Sequence, residues 1–275
     1  MKREGYADKT VEGYAKRLKF LAKHVNLDSP EAVKDFIADM KVSNTYKESI
    51  VNAYVHYVRL NGLSWTKPVY KRSRRLPNVP TTEQVNKIIS SSGKKYSMIF
   101  SILRDTGVRP VELHRLTLRN LDLDKGVIYP ESAKGGSPRA LKLKTSTLAM
   151  LKNYLAKHDC KFPTTSMMTH VWMRVRNRIA KKLAEPQLKK IRLYDLRHYF
   201  ATMLYHKTRD ILYVKQQLGH KRIETTLIYT HLVQFKDDEF HVSVGRTVEE
   251  CCKLVELGFT YVCEVDGAKL FKKPK

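Results

Sequence analysis

Polar residues stand at several points where a helical core would not ask for them. In TGVRPVELHRL, Arg109 follows a helix stop and precedes a new turn, a place from which its planar fork of donors could grip a phosphate. An arginine on an ordinary surface would read the same way. In YDLRHYFAT, Arg197 is preceded by Tyr194 and followed by His198; further on come His220 in LGH and Tyr229 in TTLIYTHL. Arginine and histidine donors suit the charge that develops on a reacting phosphate, and a phenol among them suits nucleophilic attack. No carboxylate cluster suited to magnesium accompanies them. Each residue also has a structural reading: among 15 tyrosines any one could belong to a core or a stack, and His231 could simply brace its segment.

Taken in order, these segments resemble the tyrosine recombinases, or phage-type integrases. TGVRPVEL is similar to the family's first arginine box, which implies a catalytic Arg109, and the glycine-containing loop AKGGSPR is where the family keeps its lysine, which implies Lys134. YDLRHYFAT resembles the second box, implying Tyr194 and Arg197. LGHKRIETTLIYTHL resembles the third, implying His220 and the nucleophile Tyr229. In such a set, Arg109, Arg197 and His220 hold the equatorial oxygens of a pentavalent phosphorus while Lys134 protonates the leaving 5′-oxygen. The phosphotyrosine then keeps the bond energy for religation, so neither metal, ATP nor other cofactor is implied. One position departs from the pattern. The second box usually opens with His; Tyr194, with a phenol pKa of about 10, stays protonated at pH 7 and is carried over as a hydrogen-bond donor, not as a base. His198 lies roughly 100° round a helix from Arg197 and is read as structural.

The charge agrees with a nucleic-acid partner. The chain has 275 residues, 52 Lys plus Arg against 27 Asp plus Glu, and a formal charge of +25. Residues 235–275 hold seven basic and eight acidic side chains, so the excess lies entirely upstream. It is densest in WTKPVYKRSRRLP, where Lys67, Lys71, Arg72, Arg74 and Arg75 stand without an acid, and a second basic stretch, WMRVRNRIAKK, contributes Arg174, Arg176 and Arg178. A polyanion that neutralises such runs releases counterions as it binds; a solvated surface on a protein from a hot organism is the bland alternative. No apolar run reaches the roughly 18 residues of a membrane span, and MKREGYADK lacks the apolar stretch of a secretion signal. Cys160, Cys251, Cys252 and Cys263 have neither disulfide-framework nor zinc spacing. A soluble, cytoplasmic, nucleoid-associated protein is expected.

The pattern of elements is mainly α with a small antiparallel β-sheet. Thr10 reads as the cap of a first helix, Ser29-Pro30 opens a second, and Ser43 opens a third that Gly62 stops. Residues 1–65 thus form a helical module, which the resemblance implies is a DNA-clamp domain, and 66–80 a basic linker. Residues 81–234 open on the Thr81/Gln84 capping box and are, as the resemblance implies, the DNA breaking–rejoining catalytic domain. Inside it, NLDLDKGVIYP and RALKLK alternate as short strands on either side of AKGGSP. In 235–275, Thr247 caps a helix that ends at Gly258, and a hairpin turns at Asp266-Gly267. The family implies a homo-tetramer on two sites of double-stranded DNA, monomeric or dimeric when free, with 235–275 contacting a neighbouring protomer. A type IB topoisomerase, which uses similar chemistry on one duplex, and a catalytically dead DNA-binding relative are the alternatives. The lineage suggested by Tyr194 and the tail is that of integrases from archaeal viruses and plasmids.

Overall fold

The structure, a computed structural model, describes residues 1–71, 76–232 and 240–274. Arg72, Arg74 and Arg75 of the basic cluster lie outside the described residues. The chain divides into two compact units, Met1–Arg75 and Leu76–Lys275.

The first unit holds α1 (Asp8–Ala22), α2 (Pro30–Asp39) and α3 (Asn44–Leu60). Helix α1 begins ahead of Thr10: the Thr10 N–H already bonds the Ala7 carbonyl, and Asp8 puts a negative charge in the first turn, where the helix dipole favours it. Pro30 occupies the first turn of α2, and the Ser43 hydroxyl accepts the Tyr46 N–H at the start of α3. Leu21, Val33, Ile37, Ile50, Val51, Tyr54 and Val58 form the core. The chain after α3 does not leave this module at once. Leu63, Trp65 and Tyr70 pack against the core, Trp65 meeting Tyr54 edge-on at 4.8 Å, and the Lys71 carbonyl accepts from Asn44. The start of the expected linker therefore belongs to the first unit, because Tyr70 finds apolar surface there and the Lys71 carbonyl accepts from α3.

The second unit starts with α4 (Thr82–Ser90), whose Thr81/Gln84 capping box is formed, α5 (Lys94–Thr106) and α6 (Pro110–His114). Strands β1 (Leu121–Asp122), β2 (Val127–Ile128) and β3 (Leu141–Lys142) make an antiparallel sheet in the order β1-β2-β3. Then follow α7 (Thr145–Leu155), α8 (Thr165–Lys182), α9 (Asp195–Thr208), α10 (Ile211–Leu218) and α11 (Glu224–Leu227). In α8 the apolar positions Trp172, Val175 and Ile179 fall on one face and are buried; Trp172 meets Phe100 edge-on at 4.9 Å and donates to the Ile191 carbonyl at 3.0 Å. Side chains of this size contribute about 1.5–3 kcal/mol each on burial. A second, smaller cluster of Ala201, Val214, Leu218 and Tyr229 joins α9, α10 and the segment after α11.

The tail carries β4 (Phe240–Gly245), α12 (Val248–Glu256), β5 (Thr260–Val265) and β6 (Ala268–Pro274). The Thr247 cap and the β5–β6 hairpin are formed. Strand β4, not expected, pairs along the other edge of β6, giving the order β4-β6-β5. The overall architecture, mainly helical with small antiparallel sheets, agrees with the sequence reading.

Candidate active site

Arg109 caps α6 with Pro110 at the first helical position. Glu112, fully buried, holds it twice: Oε2 accepts the Arg109 N–H at 2.9 Å and Oε1 accepts from its guanidinium at 2.7 Å. The same carboxylate accepts from Arg139 and, at 3.1 Å, from the Ala133 N–H. Burial alone would raise the Glu112 carboxyl; the Arg109 N–H and the two guanidinium groups outweigh it and hold the group below the usual range. Glu112 thereby fastens the first arginine to the loop AKGGSPR, in which Lys134 is the middle of a 3-10 turn, Ala133–Gly135. The Lys134 side chain lies outside what the structure describes.

Arg197 is almost wholly buried on α9. Its guanidinium donates to the Gly107 carbonyl at 2.6 Å and to the Leu218 carbonyl at 2.6 Å, leaving Nε buried without a partner among the described residues. One side chain therefore ties the end of α5, just before Arg109, to the end of α10, just before His220. Desolvation and the nearby Arg109 charge lower its pKa to about 10, so it remains a cation at neutral pH. Gly107 makes the approach possible. It ends α5 with φ +61°, and a Cβ there would stand 2.3 Å from the Phe200 ring.

His220 follows Gly219, whose left-handed φ of +64° ends α10. The Gly219 carbonyl accepts the Ser137 N–H at 3.3 Å, so the lysine loop docks on the turn that presents the histidine. His220 Nδ1 pairs with the Thr226 hydroxyl at 3.0 Å. Burial, then the Arg197, Arg109 and Arg139 charges, push the imidazole down to about 4, so it is neutral at pH 7.

Tyr229 follows α11 with its ring in the smaller core cluster and 2% exposure. Its hydroxyl lies 3.1 Å from His198 Nδ1. Burial pushes the phenol up to about 12, against the pull of the Arg197 and Arg109 charges. His198 thus meets Tyr229 directly. The helical step does carry it away from Arg197, but the Tyr229 segment packs on that side of α9 and delivers the phenol to it. Tyr194, half exposed at the start of α9, does not bond Tyr229; its ring meets His198 edge-on at 5.4 Å.

The structure therefore brings Arg109, Arg197, His220 and Tyr229 together, with the Lys134 backbone docked beside them. Three contributors escaped the sequence reading: Glu112, Arg139 and the contact of His198. Glu112 stands three residues after Arg109, at cap spacing, and Arg139 closes the lysine loop, so both signals were local and ordinary. Of the expected DNA contacts, Lys67 is exposed and bonds Asn52 at 2.9 Å, Lys71 is exposed, and so are Arg174 and Arg178, the latter donating to the Ser91 carbonyl at 2.7 Å. Arg176 differs: it is turned inward, half-buried, with its guanidinium on the Ile191 carbonyl. Among the described residues no helix is long and apolar enough to cross a membrane.

Residues 79–235, more than half of the chain, match the phage integrase family, and the chain belongs to that family. It is 27% identical over 250 residues to the tyrosine recombinase XerA of Pyrococcus furiosus, spanning 83% of this chain and 85% of that protein. With XerA of Thermococcus kodakarensis it is 28% identical over 275 residues, 92% of each. The fold is shared with the Tn1549 transposon integrase solved in complex with transposon right end DNA, with a TM-score of 0.66 and 15% identity over 92% of this chain and 95% of that one.

Proposed function

We propose that this chain is a site-specific DNA recombinase that cuts and rejoins double-stranded DNA through a 3′-phosphotyrosyl intermediate on Tyr229. The observation that carries the reading is the bridge made by Arg197, which joins the carbonyls of Gly107 and Leu218 and so gathers the Arg109 and His220 segments about the buried Tyr229. Family membership supports the same conclusion.

In this reading Arg109, Arg197 through its free Nε, and His220 through the nitrogen not bonded to Thr226 donate to the non-bridging oxygens of the scissile phosphate. Three fixed donors of this kind match the charge of the pentavalent transition state better than that of the diester, which is where binding must differ to accelerate the reaction. Lys134 protonates the leaving 5′-oxygen, and Tyr194 donates a hydrogen bond at the rim. Lys67, Lys71, Arg174 and Arg178, with the arginines of residues 72–75, contact the DNA backbone. Four protomers join two sites and exchange strands through a four-way junction, and the element served is a mobile or viral one in an archaeal host; relatives from Pyrococcus and Thermococcus support that lineage.

The test is synapsis. Plasmids carrying two copies of a cleaved site are expected to yield recombinant circles, and plasmids with one copy are not. Relaxation of supercoils at equal rates on both, without recombinants, would instead assign a topoisomerase.

A further inference from the structure

The Tyr229 hydroxyl has one side-chain hydrogen-bond partner among the described residues, Nδ1 of His198 at 3.1 Å, with the rings 5.9 Å apart at 49°. His198 is braced by the edge-on Tyr194 ring. The charged groups that act on its imidazole are Asp195, Arg192 and Arg197, and the Asp195 carboxylate is already bonded to the Arg192 N–H and guanidinium. Burial first, then the Arg192 and Arg197 cations, outweigh the pull of Asp195 and keep the ring neutral at pH 7. A buried phenol at hydrogen-bond distance from a neutral imidazole is the geometry that general-base catalysis requires, with Nδ1 as the acceptor when the ring carries its proton on Nε2.

We propose that His198 is the general base for Tyr229, occupying the role that Tyr194, a phenol itself, does not fill. This inference rests on Tyr229 being the nucleophile. The phenolic proton passes from Tyr229 Oη to His198 Nδ1 as Oη forms its bond to phosphorus. The bond from phosphorus to the 5′-oxygen breaks, its electron pair leaves on that oxygen, and the oxygen takes a proton from Lys134. In religation a 5′-hydroxyl attacks the phosphotyrosine and gives its proton to Lys134, the bond from phosphorus to Tyr229 Oη breaks, and His198 returns its proton to the departing phenol. His198 touches a reacting atom and is a catalytic residue in this scheme.

The experiment is single-turnover cleavage of a nicked duplex by the full chain, followed from pH 5 to 9, for the wild type, His198→Asn and Tyr194→Phe. Tyr229 is also replaced by a more acidic fluorotyrosine in the wild-type and His198→Asn backgrounds. Asparagine keeps an acceptor near the Nδ1 position but has no proton affinity to speak of, which separates basicity from positioning. His198→Asn is expected to cleave about 10²- to 10⁴-fold more slowly at neutral pH. The deficit shrinks as pH rises and shrinks again with the fluorinated phenol, while DNA binding stays at the wild-type level. Tyr194→Phe is expected to lose much less. The wild-type rate itself should rise as the imidazole deprotonates and then level off, a readout that needs no variant. Wild-type cleavage by His198→Asn, a deficit indifferent to pH and to fluorination, or a wild-type rate still climbing tenfold per pH unit at pH 8–9 would each overturn the base. If the wild type forms no Tyr229 adduct at all, the nucleophile assignment fails first, and the base with it.

Discussion

Arg197 is a buried cation held by the Gly107 and Leu218 carbonyls, with its Nε buried and without a partner among the described residues. His220 shows the opposite economy, a histidine stripped of its proton by burial and three neighbouring arginines. This has a consequence for the free protein. An unfolded histidine titrates near 6.5 and the folded one at about 4, so between those values the unfolded state binds the extra proton. Stability is complete above 6.5 and falls as the pH drops toward 4, by up to about 3 kcal/mol at the lower end. Urea melts at pH 4.5 and 7.5 should show that loss in the wild type and a smaller one in His220→Gln; equal losses would deny the burial effect. Arg109, Arg197, His220 and Tyr229 were legible through the family resemblance, because each belongs to a short local segment that one of its boxes matches. Glu112 and Arg139 could not, since they act through other side chains, and a glutamate three residues past a helix start looks like any cap. The contact of His198 with Tyr229 was not legible because one helix was considered without the segment that packs on it.

The turns at the ends of α5 and α10 place Arg109 and His220, and both depend on a left-handed glycine. At Gly219 a Cβ would lie 2.8 Å from the Arg139 guanidinium and 2.9 Å from the Ser137 carbonyl oxygen, on the seam where the lysine loop docks. Gly219→Ala is therefore expected to cost about 1–2 kcal/mol from backbone conformation alone, and to lower cleavage further by displacing His220 and the Lys134 loop. Thermal melts beside single-turnover cleavage check this; a variant that keeps wild-type cleavage would show that the seam does not position the site. Elements closed by local signals were legible, among them the Thr81/Gln84 capping box, the Thr247 cap and the β5–β6 hairpin. Elements that depend on distant partners were not. Strand β4 needs β6 to exist, the chain around Trp65 needs the face of α3, and α1 starts before Thr10 without a side-chain cap.

The whole chain divides its labour by charge, with the basic excess in the first 234 residues and a near-neutral tail. The tail exposes apolar side chains including Val242, Val255, Leu257, Tyr261 and Val265, and Phe271 is buried in it, features that suit contact with a protein more than with DNA. Removing residues 235–275 is accordingly expected to impair assembly and recombination while leaving binding to a single site largely intact; parallel loss of both would sink the assignment. Everything else rests on the identity of the nucleophile. The most direct test is covalent trapping on nicked duplexes bearing candidate tRNA-gene or chromosomal sites, in EDTA, with Tyr229→Phe alongside. A protein–DNA adduct that forms in the wild type and disappears in the variant is the expected result. An adduct that survives in Tyr229→Phe, or DNA binding by the wild type with no adduct at any site, would contradict it.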